Sequence, residues 1–298
     1  MKIIVTGGAG FIGSNLIKEL VKTKENQIIS IDNYSTGNIS NHIDFDGVTY
    51  INANTWDILN INIYDFKNFK PDIVFHFAEY SRIHQSFNET SKVFKSNAYG
   101  TQQVLEYAVK NNSKLIYSGS SAIFGNKDNE NLSPYALTKY NNIKLIHNYK
   151  KWFGLEFCIC YFFNVYGEGQ IKTGDYATVI GIFEKQYSSN SALTIVKPGT
   201  QSRCFTHVDD IVKGILLVTE KGSGDGYLLG SKEQLTIIDV ANMFDTTYFF
   251  IDERKGERNF SKFENSRAET ELGWKAEIKL KDYINTFKNK VKSVSYRK

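Results

Sequence analysis

Hydrophobic positions in the first half of the chain come as short apolar runs separated by longer amphipathic stretches. The runs are Lys2–Thr6, Gln27–Ile31, Val48–Asn52, Ile73–His76, Lys114–Tyr117 and Glu156–Phe162. Continuous apolar runs of this length predict strands covered on both faces. Between them, helical spacing predicts helices at Ile12–Thr23, Ile61–Phe66, Ser91–Lys110 and Tyr135–Trp152. Strand–helix alternation implies right-handed crossovers, and hence an α/β fold with a doubly wound parallel sheet. After about Gly167 the elements shorten: Thr178–Tyr187, Leu193–Val196, Val208–Lys221, Thr236–Phe244 and a last helix near Leu280–Val291. No repeat, low-complexity tract or linker divides the chain. The pattern predicts a sheet domain over 1–166. A smaller C-terminal α/β region, 167–298, packs on it without a hinge and partly folds back onto the sheet.

Composition narrows the function classes. With 298 residues, 41% of them hydrophobic, the chain can bury a core without disulfide or metal. Its three cysteines, Cys158, Cys160 and Cys204, form no CxxC pair and read as reduced core residues of a cytosolic protein. No Cys/His cluster has zinc-ligand spacing, so no metal is expected. A net charge of +4 is mild, and the basic tail Lys288–Lys298 reads as a solvated end. No nucleic-acid recognition motif is present, and no apolar stretch approaches the ~20 residues of a membrane span. Met1–Val5 run straight into a glycine turn with no cleavage region, so the expected location is the cytoplasm.

Two constellations carry chemistry. Thr6-Gly7-Gly8-Ala9-Gly10-Phe11-Ile12-Gly13 follows the first strand and opens the first helix. Glycines there allow a tight turn and close approach of a pyrophosphate to exposed helix N–H groups. Asp32 closes the second strand, where a carboxylate accepts from both adenosine ribose hydroxyls and repels a 2′-phosphate, which favours NAD over NADP. Asp57 is placed either to bond the adenine amino group or in a surface turn. Further on, Tyr135-Ala136-Leu137-Thr138-Lys139 sets a phenol and an ammonium one turn apart on a helix face. A cation beside a phenol favours its ionised form and equips it as a general base. Ser118-Gly119-Ser120-Ser121 follows the fifth strand, at the end of the sheet where ligands bind.

In this order the motifs resemble the extended short-chain dehydrogenase/reductase family, especially its nucleotide-sugar epimerase branch, typified by UDP-galactose 4-epimerase. The resemblance covers nearly the whole chain. It is carried by TGGAGFIG at 6–13, DNYSTG at 32–37, HFA at 76–78, SNAYGT at 96–101 and SGSSAIFG at 118–125. YALTK at 135–139, FFNVYG at 162–167, RCFTHVDD at 203–210 and RKGE at 254–257 complete it. It implies a Rossmann-type sheet, NAD as cofactor, a nucleotide-sugar substrate and a homodimer packed through the helices Ser91–Lys110 and Tyr135–Trp152. Ser120, Tyr135 and Lys139 match the catalytic positions. Gly7, Gly10, Phe11, Ile12 and Gly13, with Asp32, Asn33, Ser35, Thr36 and Gly37, match cofactor contacts. So do Asp57, Ile58, Phe77, Ala78 and Asn97, beside Tyr135 and Lys139 themselves. Ser81, Ser120, Ser121, Asn164, Arg203, Arg254 and Glu257 match substrate contacts.

The family also contains dehydratases and decarboxylases, which resemble one another in carrying a carboxylic acid just after the catalytic serine or threonine. Here those positions are Ser121 and Ala122, so the implied chemistry is epimerisation, by oxidation to a keto-sugar and re-reduction on the opposite face, most simply at C4 of a UDP-sugar. A 4-oxidase, 4-ketoreductase or 4,6-dehydratase is the alternative within the family, and a dinucleotide sensor the alternative outside catalysis. Three departures mark the chain. Only nine residues separate Gly125 from Tyr135. Glu79-Tyr80-Ser81-Arg82 replaces small residues after HFA, where Arg82 and His84 reach either a charged sugar or solvent. Cys160-Tyr161 stands where an arginine is common.

Overall fold

The apolar runs assemble into one parallel sheet. In the computed structural model, which describes residues 1–125, 133–256 and 267–295, its strands are β1 (Lys2–Thr6), β2 (Gln27–Asp32), β3 (Val48–Asn52), β4 (Ile73–His76), β5 (Lys114–Ser120), β6 (Phe157–Phe162) and β7 (Gly224–Leu229). Their order is β7-β6-β5-β4-β1-β2-β3, and every neighbouring pair is parallel. The winding reverses between β1 and β4, the switch point at which such sheets bind ligands. The main helices are α1 (Phe11–Leu20), α2 (Gly100–Asn111), α3 (Pro134–Phe153), α4 (Val179–Ser188), α5 (Val208–Lys221) and α6 (Leu280–Ser295).

β1 shows why the runs are continuous. Ile3 and Val5 pack with Leu16 and Ile17 of α1 and Ile211 and Ile215 of α5. Ile4 points the other way, into Val104 and Leu105 of α2 and Ile146 of α3. Alternate side chains face opposite layers, and each such residue buried contributes roughly 1.5–3 kcal/mol. β7 escapes the sequence pattern because Gly224-Asp225-Gly226 interrupts its apolar run. Tyr227 and Leu229 are nonetheless fully buried, and the strand pairs with β6 at the sheet edge.

Two expected helices take other forms. Ser91–Lys110 divides into Thr90–Val93, a π-helical segment Phe94–Tyr99, and α2. The wider π segment carries Asn97 with its side chain fully buried. Ile61–Phe66 is not a helix: Thr55–Asn60 winds as a 3-10 helix, Ile61 is extended, and Tyr64–Lys67 makes one α turn. The extended link lets Ile61 and Phe66 enter the same core cluster.

Beyond β6, three two-stranded ladders pair Val165–Tyr166 with Thr206–His207, Ser202–Cys204 with Gln234–Thr236, and Leu193–Val196 with Tyr248–Ile251. Phe183 of α4, Phe244 and Ile284 of α6 form a separate small core under them. The three cysteines are buried. Among the described residues no helix is long and apolar enough to cross a membrane.

Candidate active site

A cavity of about 540 Å³ runs along the C-terminal ends of the strands. At one end lies the glycine turn. Gly7 has φ +77°, and a Cβ on it would meet the backbone of Ala78 and Phe77 at 2.8 Å; one on Gly13 would lie 2.1 Å from the Gly7 carbonyl oxygen. Only glycine permits that closure. Gly10 caps α1 without any side-chain hydrogen bond, so the first-turn N–H groups remain for an anion. Gly10, Phe11, Ile12 and Gly13 all line the cavity.

Asp32 completes this end. Its Oδ2 accepts from Ala9 N at 3.0 Å and its Oδ1 from Tyr34 N at 2.8 Å. Burial raises its pKa above the ordinary value, against those two N–H groups and His42, which lower it. Each oxygen keeps a further lone pair for a ribose hydroxyl. Asn33, Ser35 and Thr36 line the cavity beside it. Gly37 lies behind, where a Cβ would be 3.0 Å from Asp32 Oδ1. Two expectations differ. Asp57 is exposed, takes a hydrogen bond from Asn54 Nδ2 at 3.0 Å and is not on the cavity wall. Ile58 is fully buried in the core and is off that wall too, because the 3-10 turn faces it inward; Ala53, Thr55 and Trp56 line the wall instead. These residues make room for a dinucleotide with a glycine-cradled phosphate and a carboxylate at the ribose.

The middle of the cavity holds the hydroxyls. Ser120 ends β5, and its Oγ accepts from Ala122 N at 3.2 Å, which leaves its proton to donate. Ser133 caps α3, accepting from Ala136 N at 3.1 Å, with Pro134 in the first turn. The cap sets Tyr135 at the mouth of the helix, and Lys139 follows one turn later; both line the cavity.

The lysine's partner was not foreseen. Lys139 Nζ is paired with Glu79 and donates to the Ser118 carbonyl. Glu79 also accepts from Asn142 Nδ2 at 2.7 Å, Thr101 Oγ1 at 2.9 Å and Tyr117 OH at 3.0 Å. The side chains of Lys139 and Glu79 are only 4% and 1% exposed, so each charge depends on the other. The one mark in the sequence was that Glu79 replaces a small residue after HFA. Beneath it His76, fully buried and pushed down to about 4, bridges Thr6 Oγ1 at 2.8 Å and Thr101 Oγ1 at 2.9 Å. Thr6 Oγ1 in turn accepts from Phe77 N and Ala78 N, holding those two cavity residues in place.

Asn97 is also off the cavity wall. Its amide bonds both backbone groups of Tyr80, at 2.7 and 3.0 Å, and Thr138 Oγ1 at 3.1 Å. Tied to Tyr80 and Thr138 and away from the wall, it orders the loop.

Ser81, Ser121, Asn164, Arg203 and Arg254 also line the cavity. Asn164 has φ +36° and donates to the Cys204 carbonyl at 3.2 Å, tying it to the strand that carries Arg203. Glu257 lies outside the described residues, as does most of the short loop before Tyr135. Sequence reasoning missed the segment Ile171–Val179, which supplies Tyr176, Ala177 and Thr178 to the wall. Tyr176 is held by Arg82, whose Nε donates to its carbonyl at 2.8 Å, by Glu89, which accepts from its hydroxyl at 2.6 Å, and by Lys92. No short motif marks such a segment; it is built from contacts distant in sequence.

Comparison with known proteins agrees with this geometry. Residues 3–230 match the NAD dependent epimerase/dehydratase family. A putative UDP-glucose 4-epimerase of Methanocaldococcus jannaschii is 32% identical over 98% of both chains. An uncharacterized UDP-glucose epimerase of Bacillus subtilis, YtcB, is 31% identical over 95% of both. The structure of UDP-glucuronic acid 4-epimerase from Bacillus cereus, solved with UDP-glucuronic acid and NAD, superimposes with a TM-score of 0.87 at 29% identity, covering 99% of this chain and 100% of that one. The fold is the Rossmann-like one of these enzymes and the cofactor is NAD: the chain belongs to the NAD-dependent epimerase/dehydratase family.

Proposed function

We propose that the protein is an NAD-dependent nucleotide-sugar 4-epimerase acting on a UDP-sugar. The observation that carries the reading is one cavity lined by the glycine turn and Asp32, by Ser120 and Tyr135, and by Arg203 and Arg254. The similarity to UDP-glucose and UDP-glucuronic acid epimerases supports it.

NAD, when bound, supplies a hydride acceptor that later returns the hydride. The protein's part is to hold the sugar and move its proton. Tyr135 takes the proton of the C4 hydroxyl as the carbon is oxidised, and returns it after the keto-sugar has turned over in the cavity. Ser120, whose oxygen already accepts from Ala122 N, donates to the sugar oxygen throughout. Lys139 and the Glu79 network fix the floor beneath. Arg203 and Arg254 neutralise the diphosphate, with Asn164 beside them. Gly7, Gly10, Phe11, Ile12 and Gly13 hold the dinucleotide phosphates, and Asp32, Asn33, Ser35 and Thr36 its adenosine ribose; Phe77 and Ala78 lie against it. Ser81 and Ser121 complete the sugar site. In this reading 1–166 binds NAD and carries the chemistry, and 167–298 binds most of the nucleotide sugar.

The test is incubation of the purified protein with UDP-, GDP-, CDP- and dTDP-sugars in deuterated water, followed by NMR. A new epimer, formed without loss of water or carbon dioxide, is expected; a 4-keto-6-deoxy product overturns the reading. We further propose a cytoplasmic homodimer in carbohydrate metabolism, packed through Thr90–Asn111 and α3. Phe94, Tyr99, Trp152 and Phe153 on these elements remain exposed in the single chain. Light scattering at the mass of one chain overturns the dimer.

A further inference from the structure

The segment after β4 carries a cation that the mechanism does not use. Arg82 caps the short helix Ile83–Ser86 and lines the cavity. The next residue, Ile83, packs against Tyr135 and Ala136, which sets this segment beside the start of the catalytic helix. Its contacts are all uncharged. They are the Tyr176 carbonyl, reached from Nε and Nη2, and the Ser81 carbonyl and hydroxyl, reached from Nη1. Four contacts leave at least one of its five N–H groups unused. Among the described residues no carboxylate pairs with it. Glu79 is committed to Lys139 and Glu89 to Lys92. Burial pushes the guanidinium pKa down, and the nearby phenol of Tyr135 opposes that shift.

A second observation comes from the same wall. His84, two residues on, lines the cavity, and among the described residues its buried Nδ1 has no hydrogen-bond partner. Buried polar groups are nearly always paired. A half-buried arginine with no counter-charge and an orphaned imidazole nitrogen, on one wall, describe a subsite whose ligand is an anion. In the proposed reading the diphosphate is met by Arg203 and Arg254.

We propose that Arg82, with His84 beside it, recognises a carboxylate on the sugar, so that the substrate class is a nucleotide-linked uronic acid and not a neutral hexose. The proposal rests on the nucleotide-sugar reading above. A neutral sugar would cover Arg82 without compensating its charge, which costs binding energy. A carboxylate at C6 supplies the counter-charge and matches the planar donor fork of arginine.

UDP-glucuronic acid and UDP-glucose differ only in that group, so the ratio of their kcat/KM values on the wild-type protein is the primary measurement. A preference for UDP-glucuronic acid of about tenfold or more is expected. Equal or better use of UDP-glucose overturns the proposal and leaves the epimerase reading standing. Turnover of neither sugar overturns the proposal, and the wider sugar panel then decides the epimerase reading. In Arg82→Gln the ratio should collapse toward one, with Arg82→Lys between. UDP affinity separates a contact to the sugar from a contact to the diphosphate. A loss of UDP affinity in Arg82→Gln as large as its loss for UDP-glucuronic acid would assign Arg82 to the diphosphate and overturn the proposal. The wild-type ratio decides even if Arg82→Gln fails to fold.

Discussion

The two ends of the cavity are built by different means. At the cofactor end the shape comes from the backbone: glycines at 7 and 13 that no side chain could replace without collision, and helix N–H groups left open by a side-chain-free cap. At the sugar end the shape comes from side chains that meet across the fold. Glu79 reaches Lys139 over 60 residues of chain, and Arg82 reaches Tyr176 over 94. A backbone-made site serves a constant ligand, whereas a side-chain-made site can change its ligand by substitution. That division explains how one family keeps its cofactor and varies its sugar.

The largest effect should come from Tyr135→Phe. Removing one oxygen at the sugar end abolishes the proton carrier and should lower turnover by roughly 10²–10⁴-fold. The glycine turn and Asp32 are untouched, so NAD should stay bound, as the absorbance or fluorescence of the retained cofactor will report. Loss of NAD together with turnover would show that the two ends are not separable.

Next is Glu79→Ala. It strands the Lys139 ammonium in a pocket where the lysine side chain is 4% exposed, and breaking a buried pair this way costs ~3–5 kcal/mol. Chemical denaturation should show the loss, with Glu79→Gln milder because the amide still meets some of the same partners. A stability change below 1 kcal/mol, roughly the worth of a surface pair, would mean that the network is solvated and not a floor.

The same contrast governs what could be read from the sequence. The order of strands and helices was legible because burial on two faces writes continuous apolar runs. The cofactor turn was legible because glycine and a carboxylate have few reasons to stand at those spacings. Asp57 and Ile58 fall off the cavity wall, Asp57 in the surface turn that was its other reading, because a 3-10 turn and a loop of the same residues differ by a rotation that periodicity does not record. Asn97 was read as a contact, yet the π segment buries it against Tyr80. Glu79 stood out as a departure from the family pattern, but its partner is set by tertiary packing. Tyr176 left no mark at all, since its place on the wall comes from Arg82, Glu89 and Lys92 together.

At the cofactor end one side chain matters, and pH tests it. Asp32 must be ionised to accept from both ribose hydroxyls, and binding favours that form. The acid therefore has a lower pKa in the complex than in the free protein, so NAD affinity is complete above the free-protein pKa and falls as pH drops through it. Because burial raises that pKa, the loss should begin at higher pH than an ordinary aspartate would give. Isothermal titration of the apoprotein against pH checks this. Asp32→Asn should remove the dependence and weaken binding roughly ten- to hundredfold, the equivalent of a charge-assisted hydrogen bond. An unchanged pH profile in Asp32→Asn would move the effect to His42.

The smallest effect tests whether backbone control reaches the sugar end. Ser133 caps α3 through its hydrogen bond from Ala136 N, two residues from Tyr135. Ser133→Ala removes the cap and should cost about 1 kcal/mol, a fall of about 2 °C in Tm. If the cap only stabilises the helix, turnover at 25 °C should hardly change. If it also aims the phenol, kcat should fall while KM stays, because the misplacement affects the reacting atoms and not the binding of the nucleotide. Ser133→Thr, which keeps the capping oxygen, should restore both. We expect the kcat loss, since Tyr135 sits in the first turn and its aim depends on the helix that Ser133 starts. A variant with lowered Tm and wild-type kcat would confine backbone control to the cofactor end, and make the contrast between the two ends sharper than drawn above.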